Sequence, residues 1–133
     1  MECQFAFICD FAEQDRKLHA VGIGWDTLFP PQLPFNHSHM SVVARLRGSI
    51  AENGTKTVVL RLIDADGVDV IPLLEQPLPF EVKAPAVEAG ASLVFNLIGL
   101  QFSKYGSYAF HLLLNGNEVT RVPFSVSKPP TTA

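Results

Sequence analysis

Three carboxylates crowd one short segment, Asp64-Ala-Asp66-Gly67-Val-Asp69, and oxygen ligands at that density are what a hard cation such as Ca²⁺ requires. The segment departs from an EF-hand loop, because its glycine comes too early and no helix flanks it. The same residues also read as a β-turn, in which aspartate accepts backbone N–H bonds and glycine takes positive φ. His37-Ser-His39 is the second constellation. Its i, i+2 spacing sets both imidazoles on one side of an extended segment, which is half of a four-ligand zinc site. His19 and His111 lie on other segments, so the competing reading is a pair of solvent-facing histidines at a strand entry. No cofactor is expected.

Nucleophilic chemistry finds little to assemble. Neither Cys3 nor Cys9 is flanked by a base or by a helix start that would lower a thiol pKa. Ser107 sits in Gly-Ser-Tyr rather than a Gly-x-Ser-x-Gly elbow. Gly22-Ile-Gly24-Trp25 matches only a fragment of a dinucleotide fingerprint, without its third glycine, helix or downstream acid. Asp10, Asp15 and Asp26 fit strand ends and a turn as well as they fit paired acids. The chain reads as a non-enzyme.

Arg45, Arg47 and Arg61 form the one patterned surface feature. All three fall on the outward phase of two runs that Asn53-Gly54 would join as a hairpin, with Val43, Val59 and Ile63 among them. Arginine mixed with exposed aliphatics is typical of protein interfaces. The competing reading is a face covered by the proline-rich loop or by a neighbouring subunit. A protein partner or a homo-oligomer is therefore expected. A net charge of −3 gives no electrostatic reason to bind nucleic acid or an acidic membrane.

The elements that must position these groups are short strands. The 133 residues, 47% hydrophobic with ten Phe, suit one packed domain over residues 1–127, with 128–133 as a disordered C-terminal tail. No apolar run approaches the roughly 20 residues of a membrane helix. Met1-Glu2-Cys3 lacks the basic and apolar opening of a signal peptide, so a cytoplasmic location is expected. Cys3 and Cys9 lie on one expected strand, about 20 Å apart, so both are read as reduced.

Period-two alternation predicts a central strand from Cys3 and a second from Lys17 to Leu28. It predicts a third with Met40, Val42, Ala44 and Leu46 inward, and a fourth with Val58, Leu60 and Leu62 inward. Residues 75–91 read as connection, with one short edge strand at Phe80-Glu-Val82. Seven to nine strands with turn signals between them indicate an antiparallel sandwich.

The end of the chain carries the strongest local signals. Asn115-Gly116 supplies the two positive-φ residues of a type I′ hairpin turn. Gly106-Ser-Tyr108 before it matches a tyrosine corner, whose hydroxyl returns to nearby backbone. Pro123 marks the last strand as an edge or a bulge. Tyr108, Gly106 and Trp25 are taken as structural residues.

Over nearly its full length the chain resembles a family of short bacterial and phage-associated β-sandwich proteins of unassigned function. The resemblance rests on Phe5-Ala-Phe-Ile-Cys9-Asp10, Gly24-Trp25-Asp26, Leu62-Ile-Asp64-Ala-Asp66-Gly67, and Gly106 through Val126. It implies a bacterial source and no site. True immunoglobulin domains differ at two positions: Lys104 stands where their corner motif has Asp, and Phe110 where their second cysteine would be, so no inter-sheet disulfide is implied. The expectation is an all-β, immunoglobulin-like antiparallel sandwich acting as a protein-interaction module. The alternative is a metal-dependent ligand-binding module using Asp64 to Asp69.

Overall fold

The computed structural model describes residues 1–130. The expected tail, 128–133, therefore lies partly outside the described residues. Ten strands follow one another: β1 (Glu2–Cys9), β2 (Phe11–Gln14), β3 (Leu18–Val21), β4 (Thr27–Leu28), β5 (Phe35–Ser49), β6 (Gly54–Asp64), β7 (Leu74–Phe80), β8 (Glu88–Phe102), β9 (Gly106–Leu114) and β10 (Asn117–Val126). They form a three-stranded sheet β1-β5-β8, a five-stranded sheet β4-β10-β9-β6-β7, and a two-stranded ribbon β2-β3. Ten strands exceed the expected seven to nine, and pairing is antiparallel except between β4 and β10, so the larger sheet is mixed rather than wholly antiparallel as expected.

The inward phase of both sheets builds the main core. Met40, Val42, Ala44 and Leu46 of β5 and Leu93, Phe95 and Leu97 of β8 join Val58, Leu60 and Leu62 of β6 and Tyr108, Phe110, Leu112 and Leu114 of β9 in one buried cluster. The β5 and β6 residues among these are the ones that the alternation pattern places inward. Tyr108 stacks on Phe124 at 5.6 Å and meets Phe102 edge-on at 5.2 Å. Such pairs contribute about 0.5–1.5 kcal/mol beyond the area they bury.

β5 is buried on its second face as well. Ser41 and Val43 are fully buried there, because the β2-β3 ribbon lies over them and closes a second cluster of Cys9, Ala12 and Val43 with Leu18, Ala20 and Val94. A hydroxyl in that position must be satisfied. The Ala12 N–H donates to Ser41 Oγ at 3.0 Å, and the Ser41 hydroxyl donates to Asn96 Oδ1 on β8. One serine thus ties ribbon, central strand and edge strand together.

Four expectations are corrected. The opening strand lies at a sheet edge, and β5 takes the central place. The strand expected from Lys17 to Leu28 breaks at Gly22 and Gly24, whose φ values are +73° and +102°. Gly22 also presses on the Asp10 carboxylate, where a Cβ would come within 2.0 Å of Oδ2. Residues 74–80 are a true strand on the outer edge of β6, with Pro77 and Pro79 opposite Thr57 and Thr55. They share one phase, so both missing N–H groups fall on the side away from the ladder.

Asn53-Gly54 is the fourth. Asn53 has φ −54°, which a type I′ turn does not accept. Its side chain instead takes the Val82 N–H at 2.8 Å and donates to the Val82 carbonyl at 3.4 Å. The segment carries the chain from one sheet to the other.

The closing signals hold. Asn115 and Gly116 have φ +49° and +86° and join β9 to β10. The Tyr108 hydroxyl donates to the Lys104 carbonyl at 2.6 Å, four residues upstream. Pro123 lies opposite Ala109 of β9, in a strand that β4 covers only at Ser125 and Val126.

Replacing Ser41 by Ala strands the buried Ala12 N–H and is expected to cost about 1–3 kcal/mol in urea unfolding. Tyr108→Phe removes one hydrogen bond without opening a cavity, so a loss of about 0.5–1.5 kcal/mol is expected. Unfolding midpoints equal to the parent protein would contradict each assignment.

Candidate functional site

The carboxylate turn at the end of β6 is closed by the chain's own groups. Asp64 Oδ1 accepts the N–H of Asp66 at 2.9 Å and of Val68 at 3.1 Å, as an Asx turn requires. Lys104 Nζ then bridges Asp64 Oδ2 at 3.1 Å and Asp66 Oδ2 at 2.8 Å. Asp69 is directed elsewhere, to Arg61, in a bidentate pair of 3.0 and 3.1 Å. The three carboxylates thus serve two separate cations of the protein. Among the described residues no group of three or more His, Cys, Asp or Glu side chains could hold a metal ion.

Hydrogen bonds set the electrostatics here. The Val68 N–H, with help from Lys104 and Asp66, holds the Asp64 carboxyl below the usual carboxylate range, and its side chain is only 7% exposed. Arg61 does the same for Asp69, and the two carboxylates push the Lys104 ammonium upward. Lys104, the position that departs from the immunoglobulin pattern, therefore carries two jobs. Its carbonyl receives Tyr108, and its ammonium pins the β8–β9 connection to the β6–β7 turn.

The two histidines have different surroundings. The His37 ring lies 6.1 Å from Trp25 and 6.2 Å from Phe35, and burial lowers its pKa. Trp25 Nε1 and His37 Nε2 are buried without a hydrogen-bond partner among the described residues. His39 instead donates its Nδ1–H to the Asp10 carbonyl at 2.7 Å and packs on Phe11 at 5.4 Å between centroids. Both cysteines are free thiols, and burial raises the pKa of Cys9.

The arginine face comes apart in three dimensions. β5 and β6 belong to different sheets, so Arg45 and Arg47 lie on one sheet and Arg61, Val59 and Ile63 on the other. The expected hairpin is the source of the error, since Asn53 is a crossover anchor. Each guanidinium also has an internal partner. Arg45 lies across Gly90 and donates to Ser92 Oγ at 2.8 Å. Arg47 pairs with Glu88 at 3.2 Å, and Arg61 with Asp69.

What the pattern of single strands does not reveal is an apolar surface on the ribbon. Phe11 and Val21 oppose each other on its outer side, 46% and 65% exposed. Phe11 packs on His39, whose Cα partner on β8 is Ile98, 80% exposed. Ile98 also borders a cleft of about 480 Å³ that includes Val70, Ile71, Leu100, Lys104 and Tyr108 in its lining. Only the docking of the ribbon brings residues so distant in sequence together.

Asp64→Asn tests the turn by pH. A depressed carboxylate contributes stability above its unfolded pKa of about 3.9 and loses it as pH falls through the folded value. The parent melting temperature is expected to drop on acidification below about pH 4, and the variant to drop less steeply. Identical slopes would mean that the Asp64 charge does not hold the turn.

No helix among the described residues is long and apolar enough to cross a membrane. No curated protein matches the chain. A family model does match, over residues 4–127, and it contains the ribbon, both sheets and the Lys104 corner. The chain belongs to that family, a family of unknown function (DUF6941).

Proposed function

We propose that this chain is a non-enzymatic protein-interaction module, an immunoglobulin-like sandwich of bacterial, cytoplasmic origin that acts by binding a second copy or another protein. The observation that carries this reading is the exposed pair Phe11 and Val21, with His39 packed on Phe11 and exposed Ile98 paired across from His39. Exposed apolar residues that adjoin one another, rather than lying scattered, mark binding surfaces. The tyrosine corner at Tyr108 supports the immunoglobulin-like assignment. The non-enzymatic part draws on the carboxylates, which are matched by Lys104 and Arg61. The net charge of −3 and the internally paired arginines support a protein partner over a nucleic acid.

The double variant Phe11→Ser, Val21→Ser tests the surface. Both side chains are exposed, so stability is expected to stay within about 0.5 kcal/mol of the parent. Self-association by light scattering, or capture of a partner from bacterial lysate, is expected to weaken about ten-fold or more. A parent protein that is strictly monomeric and recovers no partner would overturn the reading.

A further inference from the structure

Trp25 ties a lightly held stretch of chain to the core. It packs on the main core cluster from a segment that leaves the ribbon through Gly22 and Gly24, both at positive φ, and runs into β4. β4 meets β10 at two residues only, where the Ser125 and Ser127 N–H groups donate to the Asp26 and Leu28 carbonyls at 2.8 and 2.9 Å. So short a strand behind a glycine hinge has little hold of its own and depends on Trp25.

Trp25 in turn rests on His37. The imidazole lies 6.1 Å from Trp25 and 6.2 Å from Phe35, and its residue stands opposite buried Leu100 on β8. His37 Nε2 and Trp25 Nε1 are both buried with no hydrogen-bond partner among the described residues. An imidazolium would put an N–H and a positive charge at Nε2 with no acceptor beside it, which costs far more than an unpaired neutral nitrogen. Burial lowers the His37 pKa; a backbone contact at His39 and the Asp10 carboxylate act against that, and the His39 ring acts with it. Asp26, next to Trp25, is occupied by the Thr27 hydroxyl at 3.1 Å. The Asp10 carboxylate also packs directly under Gly22, which leaves no room there for a Cβ. Both ends of the segment 22–25 therefore rest on groups that respond to a proton on His37.

We propose that His37 and Trp25 form an acid-released latch: a proton on His37 frees Trp25 from β5, and the segment 22–28, β4 included, then leaves the edge of β10. The closed form holds His37 neutral and is fully favoured above the ordinary histidine value of about 6.5. As pH falls below that value the released form gains, because its solvated ring takes up the proton more readily. Release uncovers the β10 edge at Ser125 and Ser127 and frees the chain directly after Val21, the partner of Phe11 on the ribbon. The latch goes beyond the interaction reading and stands without it. Its two parts, a histidine and a weakly held element that its charge can bias, are those of a pH switch.

Trp25 is the only tryptophan of the chain, so its emission reports the latch. Between about pH 8 and about pH 5 the parent emission is expected to shift to the red, with a midpoint below about 6.5. His37→Phe keeps a ring but cannot charge, and its emission is expected to stay fixed. Amide exchange at Ser125 and Ser127, taken relative to the intrinsic rate at each pH, is expected to lose protection over the same range in the parent and not in H37F, while Val42 and Leu60 stay protected. An emission that does not shift, or one quenched without a red shift, overturns the proposal. So does a red shift that persists in H37F, or one accompanied by loss of protection at Val42 and Leu60, which is unfolding of the whole domain. If H37F does not fold, the parent decides the matter: protection at Ser125 and Ser127 that is independent of pH overturns the latch.

Discussion

Burial of β5 on both faces is the constraint on which the rest of this fold depends. A three-stranded sheet has one face to give to a core, and here the other face also carries Ser41 and Val43 at zero exposure. That second burial requires the β2-β3 ribbon, and the ribbon requires a partner for its Ala12 N–H inside an apolar cluster. Ser41 supplies it and is itself satisfied by Asn96. An unsatisfied amide there would cost about 1–3 kcal/mol, a large share of a small domain's margin. The polar link therefore fixes where the ribbon sits, while the apolar contacts around Val43 provide most of the attraction.

The position of the ribbon decides what the surface offers. Docked on β5, it turns Phe11 and Val21 outward beside His39 and Ile98. Past the end of β8, the corner at Tyr108 and the Lys104 bridge hold the loops that line the adjoining cleft. Charge plays a local part in this molecule. Pairs such as Arg47–Glu88 between strands and Arg61–Asp69 at a turn are partly exposed, and pairs of that kind add little to stability.

Much of this is legible in the sequence wherever a local rule decides the outcome. The period of two places Met40 to Leu46 and Val58 to Leu62 in the core. Asn115-Gly116 marks the hairpin because both residues accept positive φ, and Gly106-Ser-Tyr108 marks the corner. The same dipeptide misleads at Asn53-Gly54, where a side-chain clamp on Val82 competes with the turn and wins. That competition involves a residue 29 positions away, and local pattern carries no trace of it. The error propagates, since it places Arg45 and Arg61 on one face. Lys104 stands out in the sequence only as a departure from a motif; its bridge to Asp64 and Asp66 depends on two loops meeting in space. The apolar surface is hidden for the same reason, being divided among β2, β3 and β8.

The Ala12 amide gives the most direct measure of this account. If the ribbon is an integral layer sealed by Ser41, native-state hydrogen exchange at Ala12 should occur only through global unfolding, with the same opening free energy as Val42 or Leu60. Exchange at Ala12 through a local opening of much lower free energy, with Val42 and Leu60 still protected, would contradict it. The ribbon would then be a loosely held flap, and the surface it displays would not be a fixed feature of the fold.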